Sequence, residues 1–82
     1  RYCMALQVDI ITPERKLFSG AANAVQLPGS EGLFQILTDH APLMAALTSG
    51  NVKIDLANGS ELVAIDGGVV EVSGNVVTVL AK

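Results

Sequence analysis

Cysteine is almost absent from this chain: Cys3 is the only one in 82 residues. A lone thiol cannot build an internal disulfide framework, so a reducing compartment is the natural setting. Basic residues are scarce as well. Five Lys and Arg against eight Asp and Glu give a net charge of −3, and Arg15-Lys16 is the only adjacent basic pair. Binding a nucleic acid calls for a basic stripe that displaces counterions from the phosphates, and the missing stripe argues against a nucleic-acid partner. Long apolar runs are missing too. The longest, Ala41 to Leu47, contains Pro42 and is far too short to cross a bilayer, so no direct membrane insertion is expected. No secretory leader is visible. Helical periodicity is not sustained for three turns anywhere, which leaves strands as the building material.

What is present is apolar and punctuated by turns. Half of the residues are hydrophobic, and the mean hydropathy is +0.49. A chain of this length buries only about 60–65% of the surface its unfolded form exposes, so some apolar surface is expected to stay outside as a docking face. In Asn51-Val52-Lys53-Ile54-Asp55-Leu56 apolar and polar residues alternate strictly, which places Val52, Ile54 and Leu56 on one face of a strand. Ala57-Asn58-Gly59-Ser60 follows as a hairpin turn, with Glu61–Ile65 as the return strand. Asp66-Gly67-Gly68 reads as another turn into Val69–Val72, and Ser73-Gly74-Asn75 as a third into Val76–Leu80. In the first half, strands are predicted at Leu6–Ile11, Leu17–Ser19, Asn23–Leu27, Phe34–Leu37 and Leu43–Leu47. Short strands separated by turns predict an all-β protein: a small, flattened antiparallel β-sandwich of about eight to ten short strands. Val69-Val70 and Val76-Val77 put β-branched residues on both faces of their strands, which makes one outward face apolar.

Chemistry is hard to place on this frame. His40 is the only histidine and sits beside Asp39. Nucleophilic catalysis needs a third member, and no serine occupies a nucleophile elbow. Neighbours in a loop tend to point apart, so Asp39 is badly placed to orient the imidazole. One histidine without clustered cysteines is also too little for a zinc site. Gly29-Ser30-Glu31-Gly32 is glycine-rich but lacks the Lys-Ser/Thr ending of a phosphate loop, and a hairpin loop explains it better. No catalytic, cofactor-binding or metal-binding residue is expected. A biotinyl or lipoyl carrier domain is a small acidic β-sandwich too, but it needs a lysine at a hairpin tip. Here the tip is Asn58-Gly59 and Lys53 lies in mid-strand. The same composition would also suit a generic β-sandwich interaction module or a small hydrolase using His40.

Three blocks narrow the choice. They are Val8-Asp9-Ile10-Ile11-Thr12-Pro13-Glu14 running on to Leu17-Phe18-Ser19-Gly20; Val25-Gln26-Leu27-Pro28-Gly29-Ser30-Glu31-Gly32 continuing to His40-Ala41-Pro42-Leu43; and Ile65-Asp66-Gly67-Gly68-Val69-Val70-Glu71-Val72 ending in Asn75 to Ala81. In order and spacing they resemble the N-terminal β-sandwich domain of the epsilon subunit of F-type ATP synthases, called delta in mitochondria. The likeness covers residues 5–82, and residues 1–4, with Arg1-Tyr2-Cys3 ahead of Met4, are expected to be a non-native or unordered start.

The resemblance implies a non-catalytic subunit of the central stalk, with no cofactor. It would dock the gamma subunit onto the c-subunit ring and help couple proton translocation to ATP synthesis. Its place would be peripheral, on the cytoplasmic face of the bacterial inner membrane. By the same likeness Thr12, Asp39, His40, Ala41, Pro42 and Leu43 would face gamma, and Ser30, Glu31, Gly32 and Leu33 would form the loop facing the c ring. Three departures from the family pattern stand out. Leu33 takes a position where many relatives have a carboxylate, Gln35 replaces a common glycine, and Thr38-Asp39 replaces a common Pro-Gly. The family's C-terminal helical hairpin, with its inhibitory and nucleotide-sensing roles, has no counterpart before Lys82, so either a naturally short form or a truncation is expected, and in both cases no inhibition.

Overall fold

A computed structural model of the chain describes residues 6–37 and 41–82. Seven strands run through them: β1 (Leu6–Ile11), β2 (Lys16–Ala22), β3 (Ala24–Gly29), β4 (Gly32–Leu37), β5 (Leu43–Leu56), β6 (Gly59–Ser73) and β7 (Val76–Ala81). No helix occurs among the described residues. Hydrogen bonding links the strands in the order β2-β1-β7-β6-β5-β3-β4.

The sandwich arises because β5 and β6 are long enough to serve two layers. The head of β5, Leu43–Leu47, pairs with Gly68–Val72 of β6, whose other edge pairs with β7, and β7 with β1. The tail of β5 pairs with Gly59–Ile65 on one side and with β3 on the other, and β3 carries β4. One layer is therefore β2-β1-β7 with the far half of β6 and the head of β5. The other is the near half of β6, the tail of β5, β3 and β4.

A single apolar cluster fills the space between them. Leu6, Val8 and Ile10 from β1, Val77 and Val79 from β7, and Val70 and Val72 from β6 meet Val25 and Leu27 from β3, Ile36 from β4, and Val52 and Ile54 from β5. In β1, β5 and β7 these residues alternate with exposed or half-exposed ones, as a half-buried sheet demands, whereas β3 is buried at nearly every position. No buried polar or charged residue is found among those described.

The predicted architecture holds; among the described residues the strands number seven, against the eight to ten expected. The predicted strands Leu43–Leu47 and Asn51–Leu56 are one strand, and so are Glu61–Ile65 and Val69–Val72. Asp66-Gly67-Gly68 is not a reversal. Gly67 and Gly68 have φ of 118° and 139°, angles that favour glycine, yet the β5–β6 register continues past them from Leu47↔Gly68 to Ser49↔Asp66. The glycines let β6 pass between layers without ending. Gly68 is also sterically obligatory, since a Cβ there would lie 2.1 Å from the Leu80 carbonyl oxygen.

Two further details differ from simple expectation. β1 and β7 pair in parallel, the one parallel pair among the described residues, joining strands near the two ends of the sequence. The β5–β6 reversal uses Ala57 and Asn58, with Leu56 opposite Gly59, so the positive φ falls on Gly59 at the start of β6. The Gly74-Asn75 turn is the one with positive φ at both central residues, 56° and 64°, the geometry that matches strand twist best.

Candidate interaction surface

The β3–β4 hairpin and the head of β5 come together at one end of the molecule. Pro28 lacks an N–H, and the β3–β5 ladder shifts register between Gln26 and Gly29, where that donor would be needed. Beyond the shift, Gly29 sits opposite Leu47, and the Ser30 N–H donates to the Ala46 carbonyl at 3.1 Å. Gly29 and Gly32 pair, which turns the chain over Ser30-Glu31 with Gly32 at φ 127°. A side chain on Gly29 would meet the Gly32 carbonyl and the Phe34 ring at 2.7 Å, so only glycine lets the hairpin close this tightly.

Between this hairpin and the head of β5 lies a surface depression of about 610 Å³. The four predicted loop residues, Ser30, Glu31, Gly32 and Leu33, all line it, and so does Leu43. Two groups expected to meet different partners thus share one concavity. Leu33 projects from its rim and is 68% exposed. Phe34, Leu43 and Ala45 are partly buried and pack their inner sides on the core, so the depression is an opening into the sandwich rather than a separate pit.

Ala41 and Pro42 are exposed immediately before β5. Asp39 and His40 lie outside the described residues. Thr12 is not part of this cluster. It follows β1, three strands away from β5 in the sheet order, and it organises its own turn. Its N–H and hydroxyl both donate to the Arg15 carbonyl, at 2.8 and 2.9 Å, and its Oγ1 accepts from the Arg15 N–H at 3.1 Å. Inspection of sequence motifs missed Phe34, Ala45 and Ala46, which line the depression too. Alternation along Leu43–Leu47 is the signal that could have found Ala45, because it puts Leu43, Ala45 and Leu47 on one face.

The predicted outward apolar surface is also present, on the layer containing β7. Val69 is paired with Leu80 and Ala46 with Val69, so these three form a row across neighbouring strands. Val69 and Leu80 are 42% and 52% exposed. The next row is more polar: Met44, Glu71, Thr78, Asp9 and Ser19 are in register, and the Ser19 hydroxyl donates to Asp9 Oδ1 at 2.7 Å. Nothing in either surface assembles chemistry. Among the described residues no group of three or more His, Cys, Asp or Glu could hold a metal ion. No helix among them is long and apolar enough to cross a membrane.

Comparison with known proteins agrees with the fold. The family described as ATP synthase, Delta/Epsilon chain, beta-sandwich domain matches residues 5–82. The ATP synthase epsilon chain of Chlorobium limicola is 48% identical over 79 residues, covering 95% of this chain and 90% of that protein. The epsilon chain of Delftia acidovorans is 43% identical over 77 residues, covering 93% of this chain but only 56% of its own length. Among solved structures, a chain of the Euglena gracilis mitochondrial ATP synthase, in a cryo-EM structure of its OSCP/F1/c-ring, superposes with a TM-score of 0.89 at 17% identity. That match covers 99% of this chain and 52% of the other.

Proposed function

This chain belongs to the ATP synthase delta/epsilon family, and we propose that it is a non-catalytic subunit of the central stalk that docks gamma onto the c ring. By holding the two together it helps couple proton translocation to ATP synthesis. The observation that carries this reading is the shared depression: Ser30–Leu33 and Leu43 meet at one end of the sandwich, so two partners can be held side by side by one rigid body. In this reading Ala41, Pro42 and Leu43, with Asp39 and His40 before them, face gamma. The Ser30-Glu31-Gly32-Leu33 tip faces the c ring. Thr12 makes a second, separate contact with gamma at the end of β1.

The surface chemistry suits such a role. A coupling element must bind tightly and transmit force without reacting, and an apolar rim on a fully packed core does both. Leu33 makes the c-ring contact more apolar than a carboxylate would, leaving Glu31 as the charge at the tip. The assembly would sit peripherally on the cytoplasmic face of a bacterial inner membrane, with no part of this chain entering the bilayer.

The experiment is reconstitution of an ATP synthase depleted of its epsilon subunit. Adding the 82-residue protein is expected to restore ATP-driven proton pumping in membrane vesicles. Vesicles that hydrolyse ATP but stay unable to pump, with the added protein failing to sediment with them, would contradict the proposal.

A further inference from the structure

Among the described residues, the head of β5 is paired along its whole length on one side only. Toward β6 it is paired throughout, from Leu43↔Val72 to Leu47↔Gly68. Toward β3 the pairing stops at Gly29↔Leu47, and the last bond on that side is the one from Ser30 N–H to the Ala46 carbonyl. That carbonyl points away from β6. Because the two backbone groups of a residue point to the same edge, and edges alternate along a strand, the N–H and C=O of Met44 point away from β6 as well. Among the described residues no strand meets them.

Exposed sheet edges are normally guarded by charge, proline or a bulge. Leu43-Met44-Ala45-Ala46-Leu47 has none of these, and Met44 is 71% exposed. The edge runs along the depression, where Leu43, Ala45 and Phe34 offer apolar surface. Charge defines the occupant further. No Lys or Arg stands between Leu17 and Val52, and the charge on the rim is the exposed carboxylate of Glu31. An occupant must be extended to reach the Met44 backbone groups, apolar toward Leu43 and Phe34, and basic where it passes Glu31.

We propose that an extended segment of gamma carrying a lysine or arginine adds to β5 as a further strand along Leu43–Ala46, with its cation on the depression side of Glu31, beside the face that the same tip turns to the c ring. The inference rests on the gamma-docking reading above and specifies how the contact is made: through main-chain hydrogen bonds as much as through side chains.

Amide hydrogen exchange on the protein alone and bound to gamma tests this without any substitution. The Met44 amide is expected to exchange quickly in the free protein and to become protected in the complex, whereas the Ala45 amide, directed to β6, is protected in both. Met44→Pro gives a second readout. It removes a donor that no strand uses in the free protein, and proline is tolerated at such edge positions, so the melting temperature should change little. Binding to gamma should weaken about tenfold or more, while Met44→Ala, which keeps the N–H, should stay within about threefold. A Met44 amide still unprotected in the complex, or Met44→Pro binding as tightly as the parent, would overturn strand addition while leaving gamma docking intact. Failure of the parent protein to bind gamma at all would overturn both. If Met44→Pro does not fold, the exchange result decides alone.

Discussion

Within β5 the tail, Val52–Leu56, and the head, Leu43–Leu47, keep one continuous register with β6 but have different surroundings. The tail is paired on both sides, by β6 and β3. It buries Val52 and Ile54 completely and turns Lys53 outward, with Asp55 half-exposed. The head is paired throughout on one side only. It leaves Leu43 and Ala45 half-exposed, presents Met44 and Ala46 outward, and has no charge. On the proposed reading one strand supplies both scaffold and contact surface: rigidity from the half that is enclosed, and binding from the half that no described strand covers on its second side.

Substitutions should separate these two halves. The largest effect is expected where the register of the head is fixed. Gly68→Ala places a Cβ 2.1 Å from the Leu80 carbonyl oxygen at a φ of 139°. It should cost more than about 3 kcal/mol and broaden or abolish the thermal transition. A stable, cooperative Gly68→Ala protein would mean that β6 can cross between layers by another route.

In the tail, Ile54→Ala leaves a cavity at a fully buried site. Chemical denaturation should show a loss of about 2–4 kcal/mol, with gamma affinity unchanged for the folded fraction. In the head the pattern should invert. Leu43→Asp puts a carboxylate into the proposed contact, where affinity for gamma should fall by about 2 kcal/mol or more. The free protein should remain folded, with a smaller loss from the apolar packing that Leu43 makes on the core. Equal losses of stability and affinity for Ile54→Ala and Leu43→Asp would dissolve the distinction between the halves.

Thr12→Ala removes the hydroxyl that both donates to and accepts from Arg15, so unfolding free energy should drop by about 1 kcal/mol. The smallest change is expected at Lys53→Ala on the outward side of the tail, within about 0.5 kcal/mol by the same measurement and without effect on gamma.

Much of the tail could be read directly from residue order. Strict alternation over Asn51–Leu56 fixes both the strand and its buried face, and Asn58-Gly59 locates the reversal to within a residue. The continuity of β5 and β6 could not be read in the same way. Gly50 and Gly67-Gly68 look like strand ends because a turn and a bend between layers ask for the same backbone freedom. Only the long-range ladder distinguishes them. The parallel β1–β7 pair joins residues from opposite ends of the chain, and local pattern contains no trace of it. The candidate surface was half legible. Motifs pick out Ser30–Leu33 and Leu43 separately, but their meeting depends on Gly29 lying opposite Leu47, a pairing set by packing rather than by either motif.

The central claim is that one end of the sandwich holds gamma and the c ring side by side. A photoreactive amino acid placed at Pro42, Leu33 or Leu62 of the protein, reconstituted into complete ATP synthase, tests it most directly. Pro42 and Leu33 flank the shared depression, and Leu62, 64% exposed on the near half of β6, lies in the same layer as Leu33 but across it from β4, with β5 and β3 between. Crosslinks from Pro42 to gamma and from Leu33 to the c subunit, with none from Leu62 to either, are the predicted result. Crosslinks to gamma from Leu62 and not from Pro42 would contradict the account and move the interface away from the depression to the β6 edge of that layer.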